Sequence, residues 1–128
     1  MHQVNVRAMI MASFVGDSLA LGAHWIYNPK KIVQKIGRVD RLLAPLPKSQ
    51  HAGKKAGQFT HYGDQTLILL QSLAQTGGFD VQDFSKKWRD FWSTSSSYVD
   101  QATKKTLANL DQNQDPGSAG SKSNELAG

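Results

Sequence analysis

The 128-residue sequence contains no cysteine, which excludes disulfide bonds, thiolate catalysis and cysteine-ligated zinc. It contains a single glutamate, Glu125, so the paired glutamates of many glycosidase sites are missing. Phosphate-binding glycine loops, the nucleophile elbow and the HExxH zinc motif are missing as well. Four histidines are present, but their spacing is not that of a zinc motif: His2, His24, His51 and His61.

Long apolar runs are also scarce. The N-terminal apolar stretch is interrupted by Gly16 and Asp17, and no charged segment with a small-residue cleavage site accompanies it. A membrane span needs about 20 apolar residues. We therefore expect neither a membrane span nor a signal peptide, and a cytoplasmic protein.

The charge balance is moderately basic. Lysine and arginine total 15 against 10 acidic residues, which gives a net charge of +5. The cations fall in short pairs such as Lys54-Lys55, with no long basic run. We expect nucleic acid not to be the main partner, since a modest positive excess fits an anionic small molecule equally well.

Apolar residues recur at helical spacing in five segments, and no β-alternation of useful length is present, so the sequence predicts an all-α fold. The first and third segments are apolar on most sides, and we expect them to be central. A loop of about 25 residues, 38–62, is long enough to be functional or mobile. Residues 111–123 are expected to form a flexible polar loop. The predicted helices are Val4–Leu21, Lys30–Ile36 with Asn28-Pro29 as its start, Asp64–Gln75, a fourth one capped by Asp80, and Tyr98–Leu110.

Two observations indicate a fragment of a larger α-helical domain. Residues 123–127 have the composition of a helix start, yet the sequence stops at Gly128. In addition, two nearly all-round apolar helices need more partners than three short amphipathic helices supply. A natural short chain remains the alternative.

Two stretches near the first helix carry candidate binding residues. Asp17 lies near the end of an apolar helix, where an unpaired carboxylate would be costly. It therefore either caps a neighbouring backbone, pairs with a lysine, or faces a ligand. The following stretch, His24 to Tyr27, either packs or forms a stacking wall for a base or a sugar.

The sharpest local feature is the stretch from His61 to Thr66. It places several polar side chains around Gly63 at the start of an apolar helix, where free N–H groups favour anions. Asp64 either caps this helix or presents oxygen, together with Gln65 and Thr66, to a hard cation such as Mg²⁺.

Three motifs, in this order and spacing, resemble the ADP-ribosylglycohydrolase family. They are GDSLALGAHW, GQFTHYGDQTLILLQSLA, and YVDQATKKTLANL followed by SAGSKSNELAG. The resemblance runs from about Val6 to Gly128. The HWIY and YGDQT variants are most similar to the branch that contains the J-type lens crystallins and selenoprotein J.

The resemblance implies an all-α domain of roughly twice this length or more, of which residues 1–128 would be the N-terminal part. It implies hydrolysis of the glycosidic bond between ADP-ribose and a protein side chain, assisted by two Mg²⁺ ions. Asp64 and Gln65 would then be metal ligands, and Asp17, His24 and Tyr62 would bind ADP-ribose or the ADP-ribosylated protein.

The metal motif departs from the family pattern of Thr-Asp-Asp-Thr. Gly63 and Gln65 stand where the family has a ligand hydroxyl and a ligand carboxylate, whereas Asp64 and Thr66 agree with it. The change at position 65 removes a negative charge from a site for divalent cations. We expect this chain alone to lack hydrolase activity. The alternative is a non-catalytic protein that binds ADP-ribose or serves a structural, crystallin-like role.

Overall fold

A computed structural model describes residues 5–123 of the chain. Those residues form five α-helices and no β-strand, which confirms the all-α prediction. The expected helix positions at Val4 and beyond Ser123 lie outside the described residues. The helices are α1 (Val6–Ala20), α2 (Pro29–Lys35), α3 (His61–Thr76), α4 (Val81–Thr94) and α5 (Gln101–Asp111), and a short 3₁₀ helix, Leu21–Ala23, follows α1.

The chain divides into two compact units, with the boundary between Gly63 and Asp64 in the first turn of α3. In the first unit, α1 and α2 start at asparagine caps. Asn5 accepts a hydrogen bond from the backbone N–H of Ala8, and Asn28 accepts one from Lys30, both at 3.0 Å. Pro29 takes the first helical position of α2, where no N–H is needed, as the sequence predicts.

Helix α1 is less buried than its composition predicts. Phe14 and Ser18 are its buried residues, whereas Met11 and Val15 are 62% and 56% exposed. The expectation that α1 is central is therefore wrong for the described part of the chain. Apolar periodicity predicts that a helix has a face to bury, but it does not supply the element that covers that face.

The segment Val6–Ala23 also meets the length and hydropathy requirements of a membrane span. It is 18 residues long and 22% buried. The interruption of this stretch by Gly16 and Asp17 did not predict a segment of this kind. Core helices of soluble proteins and signal sequences meet the same requirements, so length and hydropathy alone do not assign a span here.

The loop between α2 and α3 is as long as the sequence predicts, covering residues 36–60. It passes close to the 3₁₀ helix at Gly22, where an added Cβ would lie 2.7 Å from the Cβ of Leu43. Glycine at position 22 therefore permits the close approach of the loop backbone.

The second unit has an aromatic core. Asp80 caps α4 by accepting hydrogen bonds from the N–H groups of Gln82 and Asp83 at 2.9 and 3.0 Å, as predicted. The rings of Trp88 and Trp92 meet edge to face with centroids 6.2 Å apart. Trp88 and Trp92 thus pack in the core of this unit, together with Ile68, Leu110 and Ala119.

Residues 112–123 contain turns and no helix, whereas Asp111, the first residue of the predicted loop, is the last residue of α5. Part of this loop is held against α5. Asn109 donates a side-chain hydrogen bond to the carbonyl of Ala119 at 2.8 Å, and the backbone N–H of Ser121 donates to Thr106 Oγ1 at 3.1 Å. These contacts bury Ala119 and Ser121, which the polar composition of the loop does not predict.

Candidate functional site

Asp17 and Thr60 connect the end of α1 to the start of α3. The backbone N–H of Thr60 donates to Asp17 Oδ2 at 2.8 Å, and its hydroxyl donates to Oδ1 at 2.6 Å. The same hydroxyl accepts a hydrogen bond from the N–H of Tyr62 at 3.1 Å and so caps α3. Helix α3 starts at His61, three residues before the predicted start, so Thr60 is its cap and Asp64 is not.

Gly63 lies directly against this pair. An added Cβ at position 63 would overlap the Asp17 carboxylate and would lie 2.7 Å from the Cβ of Phe59. Position 63 therefore requires glycine in this structure. Asp17 occupies the space that a side chain would need.

Three histidines from different parts of the first unit converge beside the start of α3. His24 follows the 3₁₀ helix, His51 lies in the long loop, and His61 is the first residue of α3. Each offers a ring nitrogen, and these nitrogens lie within 4.8 Å of one another. His51 and His61 are 2% and 0% exposed, and His24 is half-buried. We call these three residues the histidine cluster. Their spacing in the sequence is not that of a zinc motif, so motif spacing does not predict the cluster.

Aromatic rings surround the histidine cluster. The Trp25 ring stacks on His51 at 5.5 Å with an interplanar angle of 19°. The Tyr62 ring lies 3.9 Å from that of His61 and 5.8 Å from that of His24. Trp25 has a φ of 61°, a left-handed conformation that is rare outside glycine. Tyr27, by contrast, is 86% exposed.

The environment favours neutral imidazoles in this cluster. Burial lowers the pKa of His24, and the nearby Asp17 carboxylate opposes that shift. Burial also lowers the pKa of His51, to about 4, with further contributions from His24, His61 and the Lys54 ammonium. At neutral pH, His24 and His51 are therefore uncharged and able to stack or to donate a nitrogen lone pair.

Of the predicted ADP-ribose-binding residues, His24 and Tyr62 lie side by side, and Asp17 is close enough for its charge to act on His24. Asp17 also caps a neighbouring backbone, which is one of the alternatives that its position in the sequence left open. Its role in binding, like those of His24 and Tyr62, stays a prediction. His51 was not among the predicted site residues, and its position in the long loop was the one sequence signal that pointed to it.

The predicted metal ligands Asp64 and Gln65 belong to the second unit. Asp64 Oδ2 accepts a hydrogen bond from the Ser97 hydroxyl at 3.2 Å. Gln65 is 3% exposed, and its Oε1 accepts a hydrogen bond from the indole N–H of Trp88 at 2.8 Å. A metal ion at Gln65 would have to compete with this buried hydrogen bond.

This arrangement does not fit the two Mg²⁺ ions that the family implies. Mg²⁺ prefers oxygen ligands in near-ideal octahedral geometry, usually with carboxylates among them. Within residues 64–66, Asp64 supplies the single carboxylate, and the amide oxygen of Gln65 points to Trp88. We therefore assign no chemical step to a metal ion at this motif.

An apolar cavity of about 420 Å³ lies in the same unit. Gln65 and Thr66 are at its wall, and the remaining wall is largely aromatic and aliphatic. Such a lining accommodates apolar groups better than phosphates. Its apolar wall residues include Leu69, Phe79, Val81, Phe84, Trp88 and Leu110.

Comparison with known proteins agrees with the motifs. The chain is 22% identical to Crystallin J1B of Tripedalia cystophora over 96 residues, which are 72% of this chain and 29% of that protein. It is 29% identical to an uncharacterized protein of Archaeoglobus fulgidus over 107 residues, 81% of this chain and 33% of that protein. The chain thus spans about a third of the length of these relatives.

No solved structure matches the chain significantly. The model of the ADP-ribosylglycohydrolase family, by contrast, matches residues 2–128 of the chain. This match covers nearly the whole sequence and includes each motif from which the resemblance was inferred. The chain belongs to the ADP-ribosylglycohydrolase family.

Proposed function

We propose that the protein to which this chain belongs hydrolyses the glycosidic bond between ADP-ribose and a protein side chain. The observation that carries the proposal is the family match over residues 2–128. Because the chain spans about a third of its relatives, the activity, substrate and partners of the complete protein are all part of the proposal.

Within this proposal, the first unit of the chain binds ADP-ribose. Trp25 and Tyr62 offer aromatic faces beside neutral imidazoles, a combination that suits the adenine or the ribose. Each Asp17 oxygen accepts one hydrogen bond from Thr60 and keeps a further lone pair for a ribose hydroxyl. The net charge of +5 favours approach of the diphosphate.

Magnesium assistance would need ligands from outside residues 64–66, because Asp64 is the single carboxylate of this motif. The test is hydrolysis of ADP-ribosylated arginine and serine peptides by the complete protein, with and without Mg²⁺. We expect Asp64→Ala to reduce the rate, and Asp40→Ala, which changes an exposed aspartate, to leave it unchanged. A rate unchanged by Asp64→Ala would remove Asp64 from the mechanism.

A second candidate function is non-catalytic binding of ADP-ribose or a structural, crystallin-like role. Gly63 and Gln65 favour it, because Asp17 fills the space at position 63 and Gln65 bonds to Trp88. On this view, Gln65→Asp creates Mg²⁺ affinity that the native chain lacks. Tight Mg²⁺ binding by the native chain would contradict it.

A further inference from the structure

We propose that His24, His51 and His61 form a site for a divalent transition metal of the Zn²⁺ type. This site goes beyond the proposed hydrolase function. It also differs in chemistry from the oxygen ligands that Mg²⁺ requires, since imidazole nitrogen is a ligand of Zn²⁺, Cu²⁺ and Ni²⁺.

The geometry of the cluster supports three ligands to one ion. The three ring nitrogens lie within 4.8 Å of one another. A tetrahedral Zn²⁺ ion with Zn–N bonds of 2.0–2.1 Å holds its ligand nitrogens about 3.4 Å apart. The rings therefore have to approach one another by about 1 Å or a little more, which small side-chain rotations supply.

Burial supports the same conclusion. Two of the three imidazoles are almost inaccessible, so packing restricts them to small rotations. His24 is half-buried. Its Nε2 is buried and has no hydrogen-bond partner among the residues that the structure describes. An imidazole nitrogen in that position is costly unless it has a partner, and a metal ion is one.

Two charged side chains have opposite effects on the binding of a cation at the histidine cluster. The Asp17 carboxylate acts on His24 and favours a cation, whereas the Lys54 ammonium acts on His51 and opposes one. Lys54 is held there by a hydrogen bond from its Nζ to the carbonyl of Phe59 at 2.6 Å. Removing the lysine charge should therefore strengthen metal binding, an effect that a loss of structure would not produce.

The test is titration of the full chain with Zn²⁺ by calorimetry and with Co²⁺ by visible absorption. We expect one ion per chain, with the intense bands of a four-coordinate Co²⁺ site. His24→Gln, His51→Gln and His61→Gln should each weaken binding at least tenfold. Lys54→Met should tighten it. His2→Gln is the matched control, because it removes the remaining histidine of the sequence, and it should leave binding unchanged.

Circular dichroism of each variant separates ligand loss from unfolding. If the buried variants His51→Gln and His61→Gln do not fold, the half-buried His24→Gln decides the question. The proposal is overturned if the native chain binds no Zn²⁺. It is also overturned if a folded His24→Gln variant binds Zn²⁺ as the native chain does, or if His2→Gln abolishes binding.

Discussion

The carboxylate of Asp17 lies where the Cβ of any residue other than glycine at position 63 would be. These two residues are 46 positions apart in the sequence, and the hydrogen bonds from Thr60 hold the carboxylate in place. A side chain at position 63 would therefore displace the Asp17 carboxylate.

Gly63→Ala should destabilise the chain, because its Cβ would meet both the Asp17 carboxylate and the Cβ of Phe59. We expect a loss of about 1–3 kcal/mol in the free energy of unfolding, as for other overpacked sites. Gly16→Ala is the matched control, since it also lies in a helix but has no atom within 4 Å of an added Cβ. It should stabilise α1 by about 0.5–1 kcal/mol.

Urea unfolding of both variants checks this prediction. If Gly63→Ala were as stable as the native chain, the close approach of Asp17 to position 63 would not hold in solution. Combining Gly63→Ala with Asp17→Ala should recover part of the loss, because the double variant removes one of the two colliding groups.

Thr60→Val should destabilise the first unit through two lost hydrogen bonds. The change removes the hydroxyl that donates to Asp17 and that caps α3 at Tyr62, and we expect a loss of about 1–3 kcal/mol. Thr60→Ser keeps the hydroxyl and should lose much less. Thermal unfolding of the two variants compares them directly. A Thr60→Val variant as stable as the native chain would mean that the hydrogen bonds of the Thr60 hydroxyl do not contribute to stability.

Gln65 and Trp88 should be energetically coupled. Gln65→Ala leaves the buried indole N–H of Trp88 without its acceptor, which should cost about 1–3 kcal/mol. Trp88→Phe removes the donor, so adding Gln65→Ala to it should cost less than Gln65→Ala costs alone. A double-mutant cycle measured by urea unfolding gives the coupling. Strict additivity of the two changes would exclude the hydrogen bond as a stabilising contact.

Acid should weaken the second unit through Asp83. Hydrogen bonds from Lys87 and Ser72 hold the pKa of the Asp83 carboxyl below its ordinary value of 3.8. Because the pKa of Asp83 is lower in the folded state, its contribution to stability is fully present above a pH of about 3.8. It is lost as the pH falls through the lower folded-state value.

The measurement is the Tm of the native chain and of Asp83→Asn as a function of pH. The native chain should be the more stable of the two at neutral pH, and the difference should shrink as the pH falls below about 3.8. Asp90→Asn, in the same helix, is the control and should show no such convergence. A difference in Tm independent of pH would contradict the ionic origin of the contribution.

Local sequence signals predicted the helices well. Asn28-Pro29 and Asp80 mark helix starts that the structure confirms, because capping depends on residues only a few positions apart. The start of α3 was missed by three residues. Its cap, Thr60, is fixed by Asp17, 43 positions earlier, and no local pattern contains that contact.

The residues that lie together in the candidate site were singled out only in part, again because no local pattern contains the contacts between distant residues. His24 and Tyr62 were singled out and lie together. His51 comes from a loop without periodicity, and its place beside His24 depends on how that loop folds back. Similarly, the sequence places Gln65 within a motif that resembles a metal site. Its hydrogen bond to Trp88, 23 residues away, becomes visible only in three dimensions.

The proposed binding of ADP-ribose by the first unit is tested most directly by calorimetric titration of the folded chain with ADP-ribose. The native chain is compared with the variants Tyr62→Ala and Tyr27→Ala. Tyr62 lies against the histidine cluster, whereas Tyr27 is 86% exposed. We expect binding by the native chain and by Tyr27→Ala, and at least tenfold weaker binding by Tyr62→Ala. A cooperatively folded native chain that binds no ADP-ribose at millimolar concentration would contradict it.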